Sequence, residues 1–436
     1  MKTAPPPDAR PSTLSPIDTI GRLGEIFVWA VLIVPPFLFV PAKESFRLPK
    51  LLVSEWLGLA SVLILSWGLR GAGGAGAGVK DVWRVPAVRA LLPILLVATA
   101  GMWTTEHPLQ TRDALFDLWI GAACLIGWST GLRRGRQGRL LRGLLWPASL
   151  LALLGVLQAF RIFEPLRLAG TRWDPRLGLT SLAGNPGDLG AYMVLPCLVA
   201  IWSFPSLRSA GRWMTGVGLA LCLYVLALTQ TLAALAALAA GLLVLAVLML
   251  PRRKALVGLA AGAAAIVLLV LAVAPLRTRV AAKTGPLLAG DFNELLTGRL
   301  DGWRAALWML EEEPVTGVGH GAYLPEYIPA KTALLDRGVA FLPGQTNPVF
   351  ANAHNEYLET AAEWGIPGLL ALAWGLWVLL GAARRAAERD RPLVWSGLAA
   401  LAVLCTVYFP FRVALVAFPA ILFLAWVLRP PEVEEI

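Results

Sequence analysis

The chain has 436 residues, of which 57% are hydrophobic and only 15% are charged, and its mean hydropathy is +0.66. A soluble protein of this length could not cover its surface with so few polar side chains, which excludes a soluble globular enzyme. The net charge of +10 does not indicate a nucleic-acid partner, because many basic residues lie in short clusters between apolar runs, where they orient membrane helices.

The first 21 residues are polar and rich in proline, and they lack the apolar core of a signal peptide, so we expect the first apolar run to be a retained membrane helix. Apolar runs of roughly 18 or more residues then recur, each long enough to cross ~30 Å of hydrocarbon. Runs such as 232–250 do not alternate apolar and polar residues, which argues against a β-barrel. The sequence predicts an all-α polytopic membrane protein whose twelve spans lie near 24–41, 51–69, 87–104, 113–131, 142–160, 187–204, 213–229, 231–250, 255–275, 359–381, 392–409 and 412–429.

Two further expectations concern the spans themselves. The run 213–250 is too long for one crossing, so we predict a tight hairpin at Thr229-Gln230-Thr231. The cysteines all fall inside predicted spans without CxxC spacing, and we interpret them as apolar packing residues. They are Cys124, Cys197, Cys222 and Cys405.

The distribution of lysine and arginine predicts the orientation. Short loops such as 133–142 carry clusters of arginine, whereas several loops on the opposite side are much poorer in basic residues, which indicates that both termini are cytoplasmic. The predicted organisation is a cytoplasmic tail at 1–23, spans one to nine at 24–275, a long periplasmic loop at 276–358, spans ten to twelve at 359–429 and a cytoplasmic tail at 430–436.

Three periplasmic loops break this pattern because they carry basic residues: 42–50 with Lys43, Arg47 and Lys50, 161–186, and 276–358. The last is far longer than a connection needs to be. Within it, 300–313 has apolar residues at helical spacing and predicts an amphipathic helix.

His354 lies where the long loop meets the tenth span. A neutral imidazole can accept a proton from a hydroxyl near neutral pH. Arg299 and Arg176 lie on loops of the same side, and a guanidinium offers phosphate paired donors and a permanent charge. Taken singly, each residue has a structural alternative. The histidine could cap a helix or lie at the membrane interface. Each arginine could anchor the chain at the membrane or form a salt bridge to Asp301 or Asp174.

Motifs of other chemistries are absent. There is no GxxxxGK[ST] loop for ATP hydrolysis, no HExxH or clustered His/Cys set for a metal, and no DxD site for a metal-bound nucleotide sugar. We therefore expect neither a metal nor another cofactor.

Three blocks carry a resemblance to a known family: HNEYLETAAEWGIPGLL from His354, RLDGWRAALWMLEEEPVTGVGHGAY from Arg299, and RLGLTSLAGNPGDLGAY from Arg176. In this order, with two blocks in one long loop, they resemble the motifs of the O-antigen ligase and O-antigen polymerase superfamily. The motifs lie between about 172 and 368, and the similar architecture covers essentially the whole chain.

The resemblance implies a GT-C-like fold of about twelve helices and transfer of a glycan from an undecaprenyl-diphosphate carrier to an acceptor hydroxyl at the periplasmic face of the inner membrane, without metal or nucleotide. By motif, His354, Arg299 and Arg176 match the family's catalytic residues. His354 would serve as general base or as a ligand of the diphosphate. Further candidate substrate contacts are Arg172, Asn185, Trp303, His320, Asn355 and Tyr357.

Two departures from the family pattern bear on the site. Arg176 is nine residues before Asn185, further than the pattern expects, so Arg172 competes for its role. Thr229-Gln230-Thr231 stands where a Ser-Arg pair is expected, and a basic contact of the relatives is therefore absent there.

The motifs leave the acceptor open. A ligase passes the glycan to lipid A-core, a polymerase passes it to a lipid-linked repeat unit, and a third branch modifies protein hydroxyls. Outside the family, a lipid-linked glycan transporter fits the span count, but transporters place charged groups near the bilayer midplane. Polymerases of peptidoglycan strands share the topology and the carrier, but we expect an essential outer-loop carboxylate there.

Overall fold

The computed structural model describes residues 16–41, 45–71, 83–168, 178–251, 274–342 and 349–430, with isolated positions 253–254, 258, 267–268 and 270–272. Throughout these residues the regular structure is helical and no strand occurs, which confirms the predicted all-α class. Fifteen of the described α-helices have ten or more residues. They are α1 (Pro16–Phe37), α2 (Arg47–Gly71), α3 (Pro86–Ala100), α4 (Pro108–Gly131), α5 (Arg134–Gly143), α6 (Leu145–Ala159), α7 (Pro186–Ser203), α8 (Ser209–Leu228), α9 (Leu232–Met249), α10 (Ala274–Ala289), α11 (Arg299–Glu312), α12 (Tyr323–Asp336), α13 (Glu356–Arg384), α14 (Arg391–Val407) and α15 (Ala414–Val427).

Nine helical segments of the described chain are long and apolar enough to cross a membrane, and α14 and α15 are shorter apolar helices. Together these coincide with eleven of the twelve predicted spans. The ninth predicted span, 255–275, lies mostly outside the described residues. The protein is therefore a multi-pass helical membrane protein, and the count of twelve remains a prediction.

Local details of the bundle follow the sequence closely. A break at Thr229–Thr231, with Gln230 at a φ of 53°, separates α8 from α9 and confirms the predicted hairpin. The four cysteines are buried and free, as expected for packing residues. The first helix begins at Pro16, eight residues before the predicted span, and Glu25, at the start of that span, pairs with Arg136 (3.4 Å) and Arg139 (3.1 Å).

Helix α7 forms the centre of the bundle. Most of its side chains are buried, because it packs against α6, α8, α9, α14 and α15. It begins where Asn185 accepts a hydrogen bond from the backbone N–H of Gly187 (2.6 Å) and Pro186 occupies the first helical position. The motif Asn-Pro-Gly thus fixes the start of this buried helix.

The long predicted loop is itself helical. Its described part contains α10, α11 and α12, and α11 matches the predicted amphipathic helix. The apolar face of α11 buries Ala305, Ala306 and Met309 against Tyr323 and Tyr327 of α12, forming a second apolar core separate from that of the bundle. Since α11 also packs on α13, this core holds the loop against the start of a membrane helix.

Helix α13 contains a break at Gly365, whose φ of 62° and ψ of −161° are open essentially only to glycine. The carbonyl oxygens of Ala362 and Glu363 lack intrahelical partners there, and each accepts a 3.0 Å bond from a backbone N–H of the glycine-rich segment 317–321. A Cβ at Gly317 would lie 2.3 Å from the backbone of Glu363. The two glycine motifs of the sequence therefore bind each other through their backbones.

Replacing Gly365 by alanine should destabilise the protein, because the backbone strain costs about 1–3 kcal/mol and the new Cβ would lie 2.6 Å from the carbonyl oxygen of Pro314. The thermal unfolding midpoint in detergent measures the effect. Gly135→Ala, where the Cβ meets nothing within 4 Å, is the matched control. Equal midpoints for the two variants would contradict this account of the break.

Candidate functional site

His354 lies in the segment that precedes α13, and its backbone has a φ of 56°. Its Nδ1 is 3.1 Å from the carbonyl oxygen of Asn352. A carbonyl oxygen only accepts, so Nδ1 carries the proton of the neutral imidazole and Nε2 is the basic nitrogen. This tautomer is the one required of a base that acts through Nε2.

The surroundings of His354 keep its ring neutral. The ring meets Phe409 and Phe350 edge to face, with centroids 4.9 Å and 5.6 Å away. Burial, followed by the positive charges of Arg299 and Arg47, lowers the pKa of His354 to about 4. At neutral pH the residue is a proton acceptor with no charge of its own.

Arg47 lies at the first position of α2. Its guanidinium donates two hydrogen bonds of 3.0 Å to the carboxylate of Asp188, in the first turn of α7, and Tyr408 donates a third of 2.6 Å to the same carboxylate. Arg47 also lies over the ring of Phe409, 5.6 Å from its centroid. The aromatic ring that contacts His354 is therefore also in contact with a cation.

A cavity of about 240 Å³ opens beside Arg47. Its polar lining combines three cations, Arg47, Lys50 and Arg412, with the single carboxylate of Asp188, and the remaining lining is apolar. The lining residues are Arg47, Leu48, Lys50, Leu51, Ala183, Asp188, Arg412, Val413, Ala414 and Leu415. The cavity thus places basic side chains next to an apolar wall, a combination that suits an anionic head group on an apolar chain.

Arg412 contacts three glutamates of α13. The charged groups are 3.7 Å apart for Glu356, 3.2 Å for Glu359 and 2.8 Å for Glu363, because residues three and seven positions along a helix share one face. Burial disfavours the charge of Arg412, but the glutamates outweigh burial and raise its pKa above the ordinary value. Glu363 also contacts Nδ1 of His320 at 2.9 Å.

Arg299 begins α11. The expected salt bridge to Asp301 is not formed between these two described residues: Asp301 contacts Arg304 (3.5 Å) and Asn293 (2.7 Å) instead. Among the described residues, the buried Nε of Arg299 has no hydrogen-bond partner. Burial, followed by the charge of Arg279, lowers the pKa of Arg299.

The remaining sequence candidates are placed as follows. Arg172 and Arg176 lie outside the described residues. Asn185 and Asn355 cap the starts of α7 and α13, and the hydroxyl of Tyr357 donates to the carbonyl oxygen of Ala402 at 3.4 Å. The Nε1 of Trp303 is buried and has no hydrogen-bond partner in the described part of the chain.

Sequence reasoning brought His354 and Arg299 into one site but underrated other members. Arg47 was noted as one basic residue among several, and Asp188 and Glu359 were not singled out. A signal existed for each. Arg47 belongs to a basic loop on the same side, Asp188 follows the Asn-Pro-Gly cap, and Glu359 shares a helix face with two other glutamates beside His354.

These features define a multi-pass helical membrane protein with a neutral histidine among cations at one end of its helix bundle, here called the site end. Residues 217–373 match the family model described as O-antigen ligase. The match includes Arg299, His320 and His354 and confirms the resemblance to the O-antigen ligase and polymerase superfamily; it supports an activity of that general type. Comparison with curated proteins finds no match.

The low pKa of His354 should make stability depend on pH. Between about 4, the folded value, and about 6.5, the ordinary value, the unfolded chain binds more protons than the folded chain. Stability therefore falls as pH falls through this window, by about 2 kcal/mol between pH 7 and pH 5. Unfolding midpoints of the wild type and His354→Gln at the two pH values measure the difference. Any strain that the substitution introduces is the same at both pH values, so it cancels when each protein is compared with itself. An identical pH dependence in both proteins would contradict the lowered pKa of His354.

Proposed function

We propose that this protein transfers a glycan from an undecaprenyl-diphosphate carrier to an acceptor hydroxyl at the periplasmic face of the bacterial inner membrane, as an O-antigen ligase whose acceptor is lipid A-core. The observation that carries the proposal is the neutral imidazole of His354, with Nε2 as its basic nitrogen, close to the charges of Arg299 and Arg47. A base and an anion-stabilising group side by side are what metal-free transfer from a diphosphate requires.

The proposed reaction is a single displacement. Nε2 of His354 takes the proton of the acceptor hydroxyl while its oxygen attacks C1 of the first donor sugar. The bond between C1 and the diphosphate oxygen breaks, its electron pair leaves with undecaprenyl diphosphate, and the configuration at C1 inverts. General-base catalysis of this kind contributes about 10²–10⁴-fold.

The cavity beside Arg47 supports a location for the leaving group. Arg47, Lys50 and Arg412 bring basic side chains to its lining, of which Arg47 is paired with Asp188 and Arg412 with glutamates of α13. The negative charge that grows on the diphosphate as the bond breaks would be stabilised there. Leu48, Leu51 and the segment Val413–Leu415 supply an apolar wall beside the carrier lipid. Arg299, on the loop side of His354, would contribute a further cation.

The chemistry of His354 supports the base role over a role in holding the diphosphate. With a pKa of about 4, the free protein presents a neutral ring at physiological pH, and a neutral ring supplies no attraction of its own to an anion. A proton acceptor needs this neutral state.

The proposed orientation follows from the two ends of the bundle. Glu25, near the start of α1, pairs with Arg136 and Arg139 of the arginine-rich cluster 133–142. The other end of α1 leads to Arg47 at the site end. Arginine clusters next to spans are typical of cytoplasmic loops, so the site end would face the periplasm and the N-terminus the cytoplasm.

His354→Ala and Arg299→Ala should each lower the rate of transfer from purified lipid-linked donor, the first by about 10²–10⁴-fold because the general base is lost. Single-turnover assays in reconstituted membranes measure the rates. His107→Asn is the matched control, since His107 pairs with Glu326 at 2.7 Å and is not part of the proposed reaction. Wild-type rates in either alanine variant would show that the site assignment is wrong.

Arg47→Gln and Lys50→Gln should raise the KM for the lipid-linked donor, because each removes one cation of the cavity. Loss of a charge-assisted hydrogen bond corresponds to roughly 10–100-fold in affinity. Arg112→Gln, which removes an exposed arginine that pairs with Asp113, is the control. An unchanged donor KM in both cavity variants would place the diphosphate elsewhere.

The chemical identity of the product shows which of the three acceptors the protein uses. A single transfer to lipid A-core is the expected outcome, a ladder of repeat numbers on the carrier would identify a polymerase, and glycan on protein hydroxyls would identify the third branch. Proteoliposomes with the donor enclosed and the acceptor outside test the transporter alternative, because they separate lipid movement from bond formation.

A further inference from the structure

The segment that carries His354 is attached to α13 by one carboxylate. The side chain of Glu359 is fully buried. Its Oε1 accepts a hydrogen bond from the side-chain amide of Asn352 at 3.0 Å, and its Oε2 accepts one from the backbone N–H of Ala353 at 2.9 Å. Both oxygens of Glu359 are thus bonded to the two residues that immediately precede His354.

This attachment bears directly on the imidazole. Asn352 supplies the carbonyl oxygen that accepts from Nδ1 of His354, and that bond selects the tautomer with Nε2 as the base. His354 also adopts a left-handed backbone conformation that costs a residue with a side chain about 1 kcal/mol or more. A conformation of this kind persists only where its surroundings impose it, and Glu359 fixes the chain on its N-terminal side.

Glu359 is also in contact with a residue of the cavity. Arg412, which lines the cavity, approaches Oε1 of Glu359 to 3.2 Å. Glu359 therefore lies between the cationic wall proposed for the diphosphate and the segment that presents the proposed base.

We infer that Glu359 is a positioning residue for His354: it bonds Asn352 and Ala353 so that the imidazole is held in the tautomer and orientation needed to take the acceptor's proton. The inference rests on the proposed function. The competing account is that Glu359 only neutralises Arg412 and stabilises the fold.

Glu356 separates the two accounts. It contacts Arg412 at 3.7 Å and accepts a hydrogen bond from the backbone N–H of Phe411 at 3.1 Å. Glu356 therefore shares the cation with Glu359, whereas the bonds to Asn352 and Ala353 belong to Glu359. Glu356→Gln is the matched control for loss of one carboxylate around Arg412.

The primary experiment compares Glu359→Gln with Glu356→Gln at constant donor and acceptor. The amide of Glu359→Gln keeps one accepting oxygen but turns a donor towards Asn352 or Ala353, so the segment loses one bond. We expect kcat to fall by about 10²-fold, the size of effect that a misplacement near 1 Å produces, with the donor KM unchanged within about twofold. Glu356→Gln should leave kcat within about threefold of the wild type.

A double-mutant cycle supplies the readout that a purely structural role would not move. If Glu359 acts through His354, then Glu359→Gln has no further effect on the residual single-turnover rate of His354→Ala. The inference would be overturned if Glu359→Gln lowered the rate of His354→Ala by the same factor as it lowers the wild-type rate. Equal losses of kcat in Glu359→Gln and Glu356→Gln would also overturn it.

Reversing the hydrogen bond gives a rescue test. In the double variant Asn352→Asp with Glu359→Gln, the new amide can donate to the new carboxylate, and kcat should recover at least tenfold over Glu359→Gln alone. No recovery would count against the inference. Should Glu359→Gln fail to give folded protein, Asn352→Ala, which removes one of the two bonds to the segment, takes its place in the cycle under the same criteria.

The two proposals fail differently. Wild-type transfer by His354→Ala would end both the proposed function and this inference. Impaired transfer by His354→Ala together with a wild-type kcat in Glu359→Gln would leave the proposed function intact and overturn only the role of Glu359.

Discussion

The ion-pair cluster around Arg412 is the interaction on which the site depends. One guanidinium, from the turn between α14 and α15, is held by three glutamates on one face of α13. These contacts join the turn before α15 to the start of α13. Through Glu363 it also includes His320 of the glycine-rich segment, and through Glu359 it reaches the segment that carries His354.

The electrostatics of the site separate two kinds of group. Two cations of the cavity are paired with carboxylates that favour their charged form: Arg47 with the buried Asp188, and Arg412 with glutamates of α13. His354, with aromatic rings on two sides and cations nearby, loses its charge at neutral pH. Neighbouring groups with pKa values pushed far apart are the arrangement expected where one group stabilises an anion and another accepts a proton.

Much of the fold could be predicted from the sequence, because apolar runs, proline and glycine act locally. The hairpin at Gln230 and the amphipathic helix α11 follow from run length and helical spacing alone. The sequence did not predict that Glu25 of α1 pairs with Arg136 and Arg139 of α5. Such pairing depends on residues more than a hundred positions away, which a local pattern does not contain.

By itself, the sequence determined the class of protein and the helical pattern of most of the chain, and it proposed His354 and Arg299 as candidate site residues, because these inferences depend on hydrophobicity, helical periodicity and short motifs. Only the tertiary structure decided that Arg47, from the second helix, joins Asp188 of α7, and that Glu359 holds the segment before His354. Residues distant along the chain meet only when the helices pack. A buried charge then acquires its role from the partner that neutralises it, and no single stretch of sequence records that partner.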